Sequence, residues 1–252
     1  MTLHPGALAF TNVAATYERA RPGYPRELLE WLIGRGDLGE GRLAVDLGAG
    51  TGKLTRLLAG HGSRVVAVEP LEEMRAELEA AVPQAEALEG RAEAIPVEAG
   101  TASLVTCGQS FHWFAGAEAL GEIARVLLPG GSLVLVWNLP DESDPLQQEL
   151  GELLRPWRGG EPSQDTGEWR KAMAASRAFV PDGDLSVRCE QRTDRAGLCA
   201  RVESISFVAA LTGAERAELL ARVGSLAPSQ GAVTLRHLTR AYAYRRVEEP
   251  PR

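Results

Sequence analysis

Residues 43–58 read LAVDLGAGTGKLTRLL, and this stretch decides the fold. An apolar run from Leu43 to Leu47 ends in a glycine cluster, Gly48-Ala49-Gly50-Thr51-Gly52, after which Leu54, Leu57 and Leu58 recur on one side of a helical period. The pattern predicts strand, tight turn, helix. A glycine-rich turn there lets a ligand come close to the backbone, because a Cβ would block the approach. Working outward, RVVAV (64–68) is a β-branched strand closed by Glu69 and Pro70, and the helix predicted over 71–81 places Met74, Leu78 and Val82 on one face. Strands follow at 85–88 and 103–107, then a helix over 116–128. Pro129-Gly130-Gly131 stops it before SLVLVW (132–137), a nearly all-apolar strand. Strands that are apolar on both sides and separated by helices imply a parallel sheet covered on both faces. That is an open α/β fold, with its ligand above the C-terminal ends of the strands.

After Asn138 the pattern changes. Asp144-Pro145 starts a helix that runs to about Arg155, residues 156–168 read as a surface loop, and a further helix is predicted over 169–179. Strand-like alternation at 185–192 and 233–247 flanks two helices, about 197–210 and 213–226, so the core ends in an antiparallel pair. The expected organisation is one domain over 1–252. Its parts are an N-terminal segment (1–30), a core (40–138), a helical insertion (139–180) and C-terminal strands and helices that complete the sheet (181–252).

Composition narrows the function. The 252 residues are 44% hydrophobic and 24% charged, enough for a sizeable core. With 34 acidic and 27 basic residues the formal charge is −7, which argues against broad electrostatic capture of nucleic acid or an anionic membrane. Cys107, Cys189 and Cys199 lack CxxC spacing and read as small buried hydrophobes in a reducing compartment, and no metal site is indicated. The N-terminal MTLHPGALAF has no basic segment followed by an apolar run. The most apolar stretch, 126–140, is shorter than the ~20 residues of a spanning helix, so a soluble cytoplasmic protein is expected.

The turn itself discriminates between ligands. A Walker loop needs G-x-x-x-x-G-K-[ST]; Gly52-Lys53 is present, but Leu47 and Leu54 occupy the other required positions. A dinucleotide fingerprint needs G-x-G-x-x-G, whereas Gly48, Gly50 and Gly52 give G-x-G-x-G. Asp46 would face a pyrophosphate with like charge and suits a ligand with an amino group. Glu69, at the tip of the second strand, can accept from both hydroxyls of a ribose and fits either cofactor, so Asp46 arbitrates.

At this point the chain resembles the class I S-adenosylmethionine-dependent methyltransferases, particularly the small-molecule group with ubiquinone/menaquinone-type and trans-aconitate-type members. The resembling segments are VDLGAGTGKLT (45–55), VVAVEP (65–70), GRAEAIP (90–96), GQSFHWF (108–114) and RVLLPGGSLVLVWN (125–138). The resemblance implies a Rossmann-like, doubly wound, mostly parallel seven-stranded sheet whose last strand is antiparallel, with a helical insertion. It implies S-adenosyl-L-methionine as cofactor, with Gly48, Ala49, Gly50, Thr51 and Gly52 against its methionine part and Asp46 near the amino end. Glu69 would take the ribose hydroxyls, Pro70 and Met74 would wall the adenine, and Ala92 and Glu93 would border its edge. Gln109 and Ser110 would lie beneath the sulfonium. Tyr17 and Arg21, in a Y-x-x-x-R-P-x-Y-P stretch, would close over the cofactor, with Arg21 on its carboxylate. Two positions depart from the pattern: Arg91 stands where relatives often have an acid, and Ser103 where they often have Asp.

Other readings stay open beside these. Asp46 and Glu69 could serve as caps, and Arg21 as a solvated side chain. His112 follows the fourth strand at the ligand edge and is read either as a general base or as part of a packed Phe111-His112-Trp113 cluster. His4, His61 and His237 read as surface or turn residues. Trp137 reads as core, and Trp157 and Trp169 as core or pocket wall. The resulting function is methyl transfer from S-adenosylmethionine to an oxygen, or to a nitrogen or carbon, of a small-molecule acceptor, by a monomer or homodimer. The alternatives are a nicotinamide-dependent oxidoreductase and a non-catalytic protein that binds the same cofactor.

Overall fold

A computed structural model of the chain describes residues 4–247. Seven strands form one sheet: β1 (Leu43–Leu47), β2 (Arg64–Val68), β3 (Glu86–Leu88), β4 (Ala102–Gly108), β5 (Leu127–Pro140), β6 (Phe179–Thr193) and β7 (Val233–Arg246). Their order is β3-β2-β1-β4-β5-β7-β6, with parallel pairing from β3 through β5 and the last strand in sequence antiparallel between β5 and β6. This is the expected Rossmann-like architecture. The chain divides into two compact units. The sheet unit comprises Gly23–Trp137, Pro162–Val187 and the chain from Thr239; the helical unit comprises the chain up to Pro22, Asn138–Glu161 and Arg188–Leu238.

In the sheet unit β1 and β4 are buried almost throughout, which is why they carry apolar residues on both faces. Leu28, Leu32, Leu58, Leu104, Val134 and Val136 pack into one core. At the N-terminal ends of the strands, the edge away from the glycine turn, Asp37 accepts from Ser132 Oγ (2.6 Å) and from Arg35 Nε (2.8 Å). Ser103 Oγ there donates to the carbonyls of Asp37 and Leu43, both at 3.0 Å. The departure at Ser103 therefore concerns strand anchoring, not the ligand edge.

The helical unit has its own core of Leu150, Leu154, Leu198, Val202, Leu219 and Val223. Asp144 caps the helix Pro145–Leu154 by accepting from Leu146 N at 3.1 Å, as the Asp-Pro pair predicts.

Several boundaries differ from expectation. The helix predicted over 169–179 is Glu168–Ala175, because Ser176 turns extended and Phe179 buries its ring at the start of β6. The helix predicted over 197–210 is two, Arg195–Glu203 and Ser206–Ala209. Ser204 Oγ bonds back to Arg201 O (2.8 Å) and Ile205 is extended, which breaks the ladder. β5 begins at Leu127 rather than 132 and absorbs Gly130, at φ 72°, beside a register shift against β4. The 139–180 segment does not stay together: its first half belongs to the helical unit, its second to the sheet unit. No helix among the described residues is long and apolar enough to cross a membrane.

Candidate functional site

The turn after β1 is built from its own hydrogen bonds. Gly48 N and Ala49 N both donate to Val68 O (2.8 and 3.2 Å), Gly52 N donates to Ala49 O (3.0 Å), and Gly50 N donates to Glu69 Oε2 (2.8 Å). Four of the donors that a diphosphate would need are thus already used. Gly48 (φ 66°) is required twice over, because a Cβ there would lie 2.7 Å from Ser110 Cβ. Gly50 (φ 57°) differs: its missing Cβ points into open space.

Asp46 is fully buried behind the turn. Its register partner on β4 is Thr106, whose hydroxyl donates to Oδ1 at 2.9 Å, while Thr55 from the following helix donates to Oδ2 at 2.7 Å. Burial nevertheless pushes its carboxyl up to about 6. Glu69, 6% exposed, holds Gly50 N on one oxygen and Leu71 N on the other (3.0 Å), so it ties strand tip, turn and helix start together. Burial raises its pKa, and the two N–H donors oppose that rise. Each of its oxygens keeps a lone pair.

Pro70 is half-buried, and Met74 is buried on the helix Glu72–Ala81. Ala92 is buried, and Glu93 lies 3.6 Å from Arg91, so the departure at position 91 supplies this acid with a partner. The same loop is clamped by the helix Ala117–Val126: Glu122 accepts from Ile95 N (3.0 Å), and Arg125 donates to the carbonyls of Ile95 and Val97 (both 2.9 Å).

At the end of β4, Gln109 has φ 58°. It is the one non-glycine residue at positive φ among the described residues, a conformation held there by Gln109 N donating to Val136 O at 2.8 Å. Ser110 is buried and donates to Leu47 O (2.8 Å). His112 accepts at Nδ1 from the Trp137 indole at 3.3 Å, which leaves the proton of the neutral ring on Nε2. Burial lowers its pKa to about 4. Part of the ring stays accessible. Trp137 stacks on Trp169 (centroids 4.7 Å), and Trp169 on Tyr242 (5.2 Å), with Arg170 over the Trp169 ring at 4.4 Å. Sequence reasoning left Trp169 undecided and missed Tyr242. An aromatic on the last strand, on the face opposite its buried run Val233, Leu235, Ala241 and Ala243, was the available signal.

Tyr17 and Arg21 lie in the helical unit, where Arg21 donates to Ser204 Oγ (2.8 Å) and Ser204 O (2.9 Å) and covers the Tyr17 ring at 5.1 Å. Arg201 and His237 were not singled out from the sequence as charged or titratable groups of the interior. Arg201 sits three residues after Leu198 and one before Val202, on the core-facing side of its helix, and an arginine at such a position is itself a signal. His237, read as a surface or turn residue, is 8% exposed on β7. His4, by contrast, caps a helix start, with Gly6 N donating to Nδ1 at 3.1 Å.

The profile of a family described as "Methyltransferase domain" matches residues 45–135. An uncharacterised methyltransferase of Mycobacterium tuberculosis is 46% identical over 159 residues, 63% of this chain and 63% of that relative; the chain thus spans under two thirds of its length. A 2-phytyl-1,4-naphtoquinone methyltransferase of Thermosynechococcus vestitus is 32% identical over 170 residues, 58% of this chain and 73% of that one. Among solved structures, a candidate type II methyltransferase from Anaeromyxobacter dehalogenans superposes with a TM-score of 0.67 at 23% identity, covering 90% of this chain and 97% of that one, a likeness of fold. On this fold, this turn and these relatives, the chain belongs to the class I S-adenosylmethionine-dependent methyltransferases.

Proposed function

We propose that the protein transfers a methyl group from S-adenosylmethionine to a small-molecule acceptor. The observation that carries this reading is the turn whose N–H groups at Gly48, Ala49, Gly50 and Gly52 are internally bonded, beside a Glu69 whose oxygens keep acceptor capacity. Such a turn offers backbone surface and one carboxylate, which fits an adenosine with an amino-acid tail and not a diphosphate.

Glu69 holds the ribose hydroxyls. Gly48 to Gly52 lie against the methionine part, with the negative charge of Asp46 behind them favouring its amino group. Pro70 and Met74 wall the adenine, Ala92 and Glu93 border its edge, and Gln109 and Ser110 shape the floor below the sulfur. When bound, the cofactor supplies an activated methyl on a sulfonium. The remaining task of the chain is alignment in a site from which water is excluded, worth roughly 7–11 kcal/mol in well-oriented reactions.

His112 takes a role different from a base. Its one lone pair faces Trp137, so what it offers an acceptor is the Nε2–H donor. It positions an oxygen that is already free to attack, and proton removal is not its task.

Calorimetry with S-adenosylhomocysteine and with NADH tests the reading. Binding of the first and not of the second is expected, and the reverse overturns it. A panel of metabolites assayed for methyl gain separates an enzyme from a non-catalytic binder.

A further inference from the structure

Trp137, on β5, is 1% exposed, so its indole N–H has to find a partner inside the protein. That partner is Nδ1 of His112, at 3.3 Å. The indole is held in place from other sides: Trp169 stacks on it at 4.7 Å, and Tyr242 meets it edge-on at 6.2 Å. Those two rings are fixed in turn. The Trp169 indole donates to Gln164 O at 3.1 Å, and the Arg170 guanidinium lies over both rings, at 4.4 and 5.7 Å. All six residues belong to the sheet unit.

His112 stands on the single turn Phe111–Trp113, which follows Ser110, the residue packed against Gly48. Burial lowers its pKa to about 4, so the ring is neutral at pH 7. Among the described residues no buried polar side-chain atom lacks a partner, and Nε2 of His112 has none, so Nε2 belongs to the accessible part of the ring. The array thus leaves one open atom, a donor, on the turn next to the glycine cluster. We propose that Trp137 is a positioning residue that holds His112 as an Nε2–H donor, and that the methyl acceptor is therefore an oxygen acid ionised at neutral pH, a carboxylic acid or an acidic enol. The proposal rests on the methyl-transfer reading. An ionised oxygen brings the electron pair of the new O–CH3 bond, the pair of the broken S–CH3 bond stays on sulfur, and no proton has to leave. An alcohol would leave a proton, and His112 has no lone pair free to take it. The acids nearby are engaged as well: Asp46 accepts from Thr55 and Thr106, and Glu69 from Gly50 N and Leu71 N.

Histidine nitrogen NMR spectra at pH 7, on protein saturated with S-adenosylhomocysteine, test the positioning role, with the His112 signal assigned by its loss in His112→Gln. The wild type is expected as the Nε2–H tautomer. Trp137→Phe, which keeps a ring and removes the N–H donor, is expected to give a mixture of tautomers. An Nδ1–H form in the wild type, or an unchanged tautomer in the variant, overturns the proposal. Should Trp137→Phe not fold, the wild-type tautomer and a rescue decide instead. His112→Ala lowers kcat about ten-fold, and His112→Gln, whose amide donates without offering a basic nitrogen, recovers most of that loss; equal losses overturn the donor role. In a panel of carboxylic acids, acidic enols and alcohols, methyl gain is expected on the acids alone, and alcohols gaining methyl at a matching rate overturn the acceptor class. If S-adenosylhomocysteine does not bind, or nothing in the panel gains a methyl, the methyl-transfer reading falls and takes the acceptor class with it, while the tautomer still decides the role of Trp137.

Discussion

Asp46 in the sheet unit is fully buried and Arg201 in the helical unit is partly buried, and their surroundings differ. Asp46 keeps two hydroxyl donors at 2.7 and 2.9 Å; Arg201 has Arg21, Tyr17 and a neutral His237. The sheet unit surrounds its buried acid with donors that also define the strand register, so charge and fold support each other there. The helical unit holds a cation whose pKa is lowered by burial and by the neighbouring charge of Arg21, so charge and fold oppose each other there. The difference separates a charge that hydrogen-bond donors hold from one that its surroundings disfavour.

The largest expected effect breaks that comparison most directly. Arg201→Met removes a charge that burial and the neighbouring Arg21 both disfavour while keeping much of the side-chain volume, and should stabilise the ligand-free protein by roughly 2 to 4 kcal/mol in urea unfolding. A loss of stability instead would show the guanidinium to be satisfied.

Asp46→Asn should show the cost of its charge through pH. Its folded pKa of about 6 lies above its ordinary 3.8, so the wild-type stability associated with it is present below pH 4 and lost as pH rises through 6, in all about 3 kcal/mol. The variant should therefore be more stable than wild type at pH 7, by up to that amount, and level with it at pH 4. His112 has the opposite slope: with a folded pKa of about 4 against 6.5, its contribution is present above 6.5 and lost as pH falls through 4, about 3 kcal/mol. The two nearly cancel, so His112→Gln should gain on wild type toward acid exactly where Asp46→Asn gives up its advantage. Parallel curves would refute both assignments.

A smaller effect sharpens the same point. Thr106→Val removes one donor from Asp46 and should destabilise by about 2 kcal/mol at pH 7, but by less at pH 4.5, where the carboxyl is mostly protonated. A pH-independent loss would assign Thr106 to packing alone.

Legibility in the sequence follows the same division. β1, β2 and β4 were readable because strands buried on both faces must be apolar throughout, and the glycine turn because positive φ and a 2.7 Å approach admit little else. Glu69 was readable from its place at a strand tip. The long-range residues were not: Arg21 and Ser204 are 183 positions apart in sequence, and their hydrogen bonds depend on how distant helices pack within the helical unit. The tautomer of His112 was equally hidden, since it is set by Trp137, 25 residues away. Helix ends at 175 and 203 were missed because side-chain-to-backbone bonds at Ser204 and a buried Phe179 overrode helical periodicity.

The smallest expected change in stability compares a glycine from each unit. Gly50 has φ 57° and open space where a Cβ would stand, so Gly50→Ala should destabilise by only about 1 kcal/mol, from backbone strain. Its methyl would project into that open space over the turn, where the ligand is proposed to lie, and affinity for S-adenosylhomocysteine should fall at least ten-fold, about 1.4 kcal/mol or more. Gly213, first residue of the helix Gly213–Ser225 in the helical unit, also has open space around its Cβ direction but no positive φ. Gly213→Ala should then be neutral or slightly stabilising, because alanine is the better helix former, and should leave that affinity unchanged. Equal effects of the two variants on calorimetric affinity would mean that the space beside Gly50 is not where the ligand lies, and the sheet unit would lose its place as the framework of the site.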